Sequence, residues 1–398
     1  MLLLIALANV AAWLPTPRMA GAGTADTAWV MVRSMLIDGR AYPLFSMLFG
    51  FGLATIAARY ADAADAGRML RRRGWWLIVF GLAHAVIFPG DVLGAYGLTA
   101  VILSALIARR ARSALIAFAV LIGVLSTVSW YAATAMFDPA VTDAVAVASA
   151  TTPDMIEMSV WNRIVMWLGG SVATVALTAV LPCVVIGVFI EHSGILARPW
   201  RHRGLLGLTA GAGLAAAALL GLPYARVATD DSLRFGGDVL HSLGSYPGGL
   251  GWLALIALVF ASRRPSASRA AEPAAGPTAS PAVSPAVSPS ASPATGAAPR
   301  RARGVSGALA AIGQRSLTAY LCQNILFAPL FYRLNATGSL DEVTPVQGAL
   351  IALGVWAVTA VFCVVLAATG RPGPFEAILR PLVYGRRRAV TAASGEAA

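Results

Sequence analysis

An all-α bundle of membrane-spanning helices is the fold class this sequence predicts, and three observations predict it. The 398-residue chain is 58% hydrophobic and only 12% charged, with a mean hydropathy of +0.73. Soluble domains carry about 25% charged residues. Apolar runs recur at the length a helix needs to cross lipid, and arginines concentrate in the short stretches between those runs. All the positive charge is arginine, since the chain contains no lysine.

A helix rises about 1.5 Å per residue and the hydrocarbon layer is about 30 Å thick, so a span takes about 20 mainly apolar residues. That ruler yields about ten segments: Met1–Leu14, Tyr42–Ala58, Trp75–Phe88, Val92–Ala108, Ala114–Phe137, Ile164–Glu191, Gly204–Leu222, Ser245–Ala261, Ser306–Tyr332 and Val346–Ala368. Backbone polar groups in lipid must be satisfied within the segment, so these are helices, and they are too long for barrel strands. The first segment is short for a span. It has neither the charged start nor the small-residue cleavage site of a secretory signal, so a truncated or misassigned start is expected. In the second, Gly50 and Gly52 sit among Phe45, Phe49 and Phe51, a pattern that predicts close helix packing. Pro89-Gly90 separates the third segment from the fourth as a turn.

The intervening stretches alternate in charge. Arg59 to Arg73, Arg109 to Arg112, Arg198 to Arg203, Arg263 to Arg303 and Arg386 to Arg388 are basic, whereas 138–157, 228–238 and 338–345 are acidic or mixed. Basic loops face the cytoplasm, which predicts a multi-pass membrane protein with both termini cytoplasmic and with His84, Asp91 and His241 toward the outer face. The net charge of +12 is spread over short clusters, a topology signal and not a nucleic-acid surface. The expected partner is membrane lipid.

Three regions follow: an N-terminal bundle at 1–262, a disordered Pro/Ala/Ser-rich cytoplasmic linker at 263–305, and a C-terminal helix pair with a basic tail at 306–398. Cys183, Cys322 and Cys363 lie within apolar runs without CxxC spacing, and with four scattered histidines they predict no metal site.

Ionisable and amide side chains inside apolar segments are the candidate functional residues, because such groups are costly in lipid and turn toward a bundle interior or cavity. His84 precedes the Pro89 break and Asp91 follows it. Asp91 can hold one imidazole nitrogen so that the other acts as a base, or it can cap the following helix. In "GQRSLTAYLCQN", Arg315, Thr318, Tyr320 and Gln323 form a polar strip that can contact a substrate. Arg315 can also snorkel to headgroups, and Gln323 needs either a neighbouring helix or a substrate as partner. On the outer side "GGDVLHSLGSYPGGLGW" supplies His241 as a further candidate contact, with Tyr246 and Trp252 as interfacial anchors.

The stretches "FSMLFGFGLA", "RRRGWWLIVFGLAHAVIFPGDVLGAYGL", "IGQRSLTAYLCQN" and "GRPGPFEAILRPLVYG" resemble the YeiB-like family of bacterial integral membrane proteins, domain of unknown function 418. Together they reach across most of the chain. The resemblance implies a distant similarity to multi-span membrane acyltransferases, which acetylate envelope sugars or amino sugars. It therefore implies a catalytic role for His84 and Asp91, an envelope sugar or lipid as acceptor, and acyl-CoA as donor. Members of the family begin with an Asp-x-x-Arg-Gly stretch that this sequence lacks. Two other readings use the same residues: a transporter of a small molecule or envelope lipid, and a non-catalytic scaffold whose basic loops recruit partners or anionic lipid.

Overall fold

The computed structural model describes residues 1–14, 23–136, 156–226, 234–261 and 304–385, and every regular element among them is helical. In chain order these are α1 (Leu2–Asn9) with a 3-10 turn at Val10–Trp13, α2 (Thr24–Leu36), α3 (Ala41–Ala57), α4 (Ala63–Ala85), α5 (Leu93–Ala108) and α6 (Arg112–Met136). They continue with α7 (Val160–Leu177), α8 (Val180–Ser193), α9 (Arg203–Arg226), α10 (Arg234–Leu243) and α11 (Ser245–Ala261). The last four are α12 (Val305–Gln314), α13 (Ser316–Ala336), α14 (Pro345–Ala368) and α15 (Pro374–Tyr384). Residues 263–303 of the linker expected at 263–305, the acidic stretch at 138–154 and the tail arginines at 386–388 lie outside the described residues, and the last linker residue, Val305, already opens α12.

Local chemistry sets several of the helix starts. Asp62 accepts the backbone N–H of Asp65 to open α4, and Ser159 accepts that of Asn162 to open α7. Thr344 and Gln347 form a reciprocal capping box at α14. Five helical stretches among the described residues are long and apolar enough to cross a bilayer: Thr24–Ala57, Val160–Leu177, Arg203–Arg226, Val239–Phe260 and Pro345–Ala368. Large apolar side chains such as Leu121, Leu168, Leu208, Leu219 and Val361 point outward, an arrangement suited to lipid and costly in water. The fold is therefore an all-α membrane bundle.

Two of the expected segments are broken. Ile164–Glu191 divides into α7 and α8 at Thr178, whose backbone is extended (φ −128°, ψ 174°). The cause is Pro182, whose ring clashes with a helical carbonyl four residues earlier, at Thr178, yet loses no hydrogen bond in the first turn of α8. Freed from α7, α8 is buried nearly all round and lies against α3. There Gly50 abuts the carbonyl of Val184 and Gly187 abuts that of Met47, so closely that no Cβ fits at either glycine. Gly52 has open space beside it, so only one of the two glycines expected to pack closely does so. Ser306–Tyr332 likewise divides into α12 and α13 at Arg315 (φ −118°, ψ 32°).

The first segment, about 18 Å long for twelve residues at helical rise, is too short to cross the bilayer. Its Leu2, Leu4, Ile5, Ala6, Val10 and Trp13 are nevertheless buried, packed on α13 and α14. One apolar core contains Leu2, Leu44, Leu77, Cys183, Tyr320, Cys363 and Val383, so the N- and C-terminal helices close a single interior. Within it α4 and α5 form an antiparallel hairpin whose tip, Val86–Val92, contains Asp91 and follows directly on His84 at the end of α4.

Candidate functional site

His84 ends α4 and Asp91 precedes α5, and the turn at Pro89-Gly90 folds them onto each other: His84 Nδ1–H donates to Asp91 Oδ1 at 2.8 Å. Asp91 Oδ1 also accepts the Tyr320 hydroxyl at 3.0 Å. Oδ2 accepts the backbone N–H groups of Leu93 (2.8 Å) and Gly94 (3.4 Å) and Nε1–H of Trp167 (3.3 Å). The two functions anticipated for Asp91 thus coexist, since it orients an imidazole with one oxygen and caps α5 with the other. Gly81 and Gly94 make room, because a Cβ at the first would lie 2.7 Å from Asp91 Oδ2 and at the second 2.5 Å from Trp167.

With Nδ1 as donor, Nε2 of His84 is left as a bare acceptor, and it is buried without a partner. The residue is only 5% exposed and Asp91 6%. The pair is therefore enclosed in the bundle interior. The Phe88 ring lies 6.1 Å from that of His84 and 6.0 Å from that of Trp13, and Tyr320 is 5.5 Å from His84 on another side. Beyond Phe88, Arg163 clamps the turn by donating to the carbonyls of Val86 (2.8 Å), Met158 (3.0 Å) and Ile156 (3.2 Å) and to the Tyr332 hydroxyl.

The polar strip on α13 serves two ends. Its first part is an anchor. Arg315 is buried and donates to the carbonyls of Arg371 (2.6 and 3.1 Å) and Ala311 (3.3 Å), so it neither snorkels to headgroups nor has its fork free for a substrate. Thr318 donates its hydroxyl to Glu376 Oε2 at 2.5 Å, while Glu376 Oε1 accepts the backbone N–H groups of Leu317 (2.8 Å) and Thr318 (3.1 Å). A carboxylate there completes the unpaired amides and favours the positive end of α13. The "GQRSLT" and "GRPGPFE" motifs therefore clasp each other.

The second part of the strip faces the core. Tyr320 reaches Asp91, and Gln323 Nε2 donates to the carbonyl of Leu2 at 3.3 Å, a helix partner, leaving its Oε1 buried and unpartnered. Asn324, not anticipated from the sequence, accepts Trp13 Nε1–H at 3.3 Å through Oδ1. That bond fixes the amide orientation and leaves Nδ2 as a buried donor without a partner. Trp13, Trp167 and Glu376 were equally illegible beforehand, because their roles depend on residues 311, 76 and 58 positions away.

His241 is not brought to His84. It lies on α10 against Arg40, whose Nη1 is 2.8 and 2.9 Å from the two ring nitrogens, and its ring packs 4.3 Å from that of Tyr224. A separate cavity of about 280 Å³ opens there. Of the two expected anchors, Trp252 turns inward and donates to the carbonyl of Leu36 at 2.8 Å, and Tyr246 lines the cavity.

No solved structure matches this chain. It is similar to the uncharacterized protein YxaH of Bacillus subtilis (strain 168), at 24% identity over 386 residues that cover 90% of this chain and 83% of that protein. Residues 294–386, which contain the Arg315–Arg371 and Thr318–Glu376 contacts and Tyr320, Gln323 and Asn324, match the model of a family described as a protein of unknown function. In that C-terminal region the chain is similar to the DUF418 family.

Proposed function

We propose that the protein is a bacterial plasma-membrane acyltransferase that modifies a cell-envelope sugar or lipid, with His84 as the general base. The observation that carries this reading is the imidazole itself, held at Nδ1 by a carboxylate with five donors and left with a bare, buried Nε2. An orienting acid on one nitrogen and a free second nitrogen is the arrangement a general base needs. The buried and unpartnered Nδ2 of Asn324 is the complementary group, a donor suited to an acyl carbonyl oxygen as charge develops on it.

In the reaction the acceptor hydroxyl gives its proton to Nε2 and its oxygen attacks the thioester carbonyl carbon of an acyl-CoA. The carbon–sulfur bond then breaks, and the leaving thiolate takes the proton back from the imidazolium. Asp91 stabilises the imidazolium while it exists, and Trp167 and Tyr320 keep Asp91 in place. Enclosure by Phe88 and Trp13 excludes water that would otherwise hydrolyse the thioester. The arginine-bearing ends of α4, α5 and α9 are the cytoplasmic ends in this reading and lie opposite the His84 end of α4, so the acyl group of a cytoplasmic donor must reach His84 through the bundle.

The test is mass spectrometry of envelope lipids and glycans from a deletion strain carrying wild type or His84→Ala at matched membrane abundance. An acyl-sized mass difference is expected with wild type, reduced at least about 100-fold in His84→Ala, the usual worth of a general base. Identical profiles, with wild type rescuing an uptake or export defect instead, would replace acyl transfer by transport.

A further inference from the structure

The second polar centre carries an inference of its own. Arg40 is completely buried, at the turn between α2 and α3. Its Nη1 donates to the carbonyl of Asp38 (2.9 Å) and to a ring nitrogen of His241, and its Nη2 to the carbonyl of Ala217 (2.9 Å), whereas Nε–H has no partner. No carboxylate among the described residues pairs with it. Asp38, two residues away, pairs its carboxylate with Arg33 at 2.8 Å, and that carboxylate acts on Arg40 only through space. Carbonyls and a neutral imidazole solvate a guanidinium without neutralising it, and a buried cation inside an apolar bundle ordinarily has an anion beside it.

The cavity of about 280 Å³ is lined by His241, the residue that Arg40 bonds, and not by Arg40 itself, so Arg40 acts on an anion there through the imidazole. His241, backed by Arg40, forms part of its wall, together with the hydroxyl-bearing Tyr42, Ser126 and Ser245 and the apolar Leu177, Val239 and Leu243. Gly39, at φ +71°, lies against His241 Nε2, and a Cβ there would come within 2.7 Å of it, so this corner of the cavity stays open only with glycine. Because Arg40 donates to one ring nitrogen, the other carries the hydrogen and is a donor polarised by the guanidinium.

We propose that this cavity binds a carboxylate with a short alkyl chain. One polarised N–H and neighbouring hydroxyls match the two oxygens of a singly charged head, whereas a phosphate dianion would leave acceptors unmet. The apolar wall takes the chain. At about 30 Å³ per water-sized group the cavity holds roughly nine non-hydrogen atoms, which corresponds to an acid of about six to seven carbons.

Thermal unfolding of the full-length protein in a neutral detergent tests this, with butyrate, hexanoate, laurate, hexanamide and inorganic phosphate as ligands. Hexanoate is expected to raise the transition saturably and hexanamide, its uncharged analogue, to leave it unchanged. Binding strongest at hexanoate is expected, and binding strongest at laurate, whose chain exceeds what the cavity holds, would overturn the short-chain assignment. Arg40→Gln should weaken binding by about tenfold or more. Should Arg40→Gln not fold, Val239→Trp, which blocks the cavity and retains the charge, is expected to abolish the shift. The proposal is overturned by an equal response to hexanamide, by a response to phosphate alone, by no response at all, or by a shift that survives Val239→Trp.

Discussion

Asp91 accepts from two side chains on other helices, from His84 and from two backbone amides, and nothing donates from it. Asp91→Asn therefore does more than remove charge, because its amide NH₂ faces groups that are all donors. We expect a loss of about 2–3 kcal/mol, read as a lowered unfolding temperature in detergent, together with loss of the acylated product. Tyr320→Phe removes one of the five donors and should cost about 1 kcal/mol with the product retained. The contrast separates the group that orients His84 from one that only supports it. His84 and Asp91 were legible in the sequence because seven residues and a Pro-Gly turn bring them together locally. Asn324 was not, since its neighbour Gln323 has the same polarity and only the approach of Trp13 distinguishes them.

Helices here meet through small residues and through one charged clasp. Gly50→Ala would place a methyl group against the Val184 carbonyl, which belongs to a rigid backbone, so α3 and α8 must separate. The expected cost is about 2–3 kcal/mol, seen as reduced membrane abundance and a lower unfolding temperature. Gly52→Ala, two residues away with nothing near it, should instead be neutral or stabilising by up to about 1 kcal/mol from helix propensity. At the other end of the bundle Glu376 satisfies two amides and a hydroxyl of α13. Glu376→Ala should cost about 2–3 kcal/mol. The break at Thr178 was hidden from a hydropathy ruler because α7 and α8 are both apolar, and only Pro182 marked it. The amphipathic α2, α10 and α15 escaped the same ruler for the opposite reason, since each carries arginine or proline within a short apolar stretch.

For the molecule as a whole, the arginine clusters predict an orientation that thiol labelling can read. With Cys183, Cys322 and Cys363 replaced, Arg109→Cys should react with a membrane-impermeant maleimide only after permeabilisation, and Asp341→Cys should react in intact cells. The reverse pattern would invert the bundle and place the thioester donor on the wrong side of it. Length and hydropathy alone determined that the chain is an all-α membrane bundle, because each apolar run must satisfy its own backbone in lipid. The sequence also singled out His84 and Asp91, because ionisable groups in such runs are too costly to be incidental. Tertiary structure decided what each polar residue faces. It assigned Arg315 and Thr318 to an anchor, joined Trp13 to Asn324, and set His241 apart with Arg40. Those outcomes depend on side chains hundreds of residues apart meeting in a closed interior, and no local periodicity records which helix packs against which.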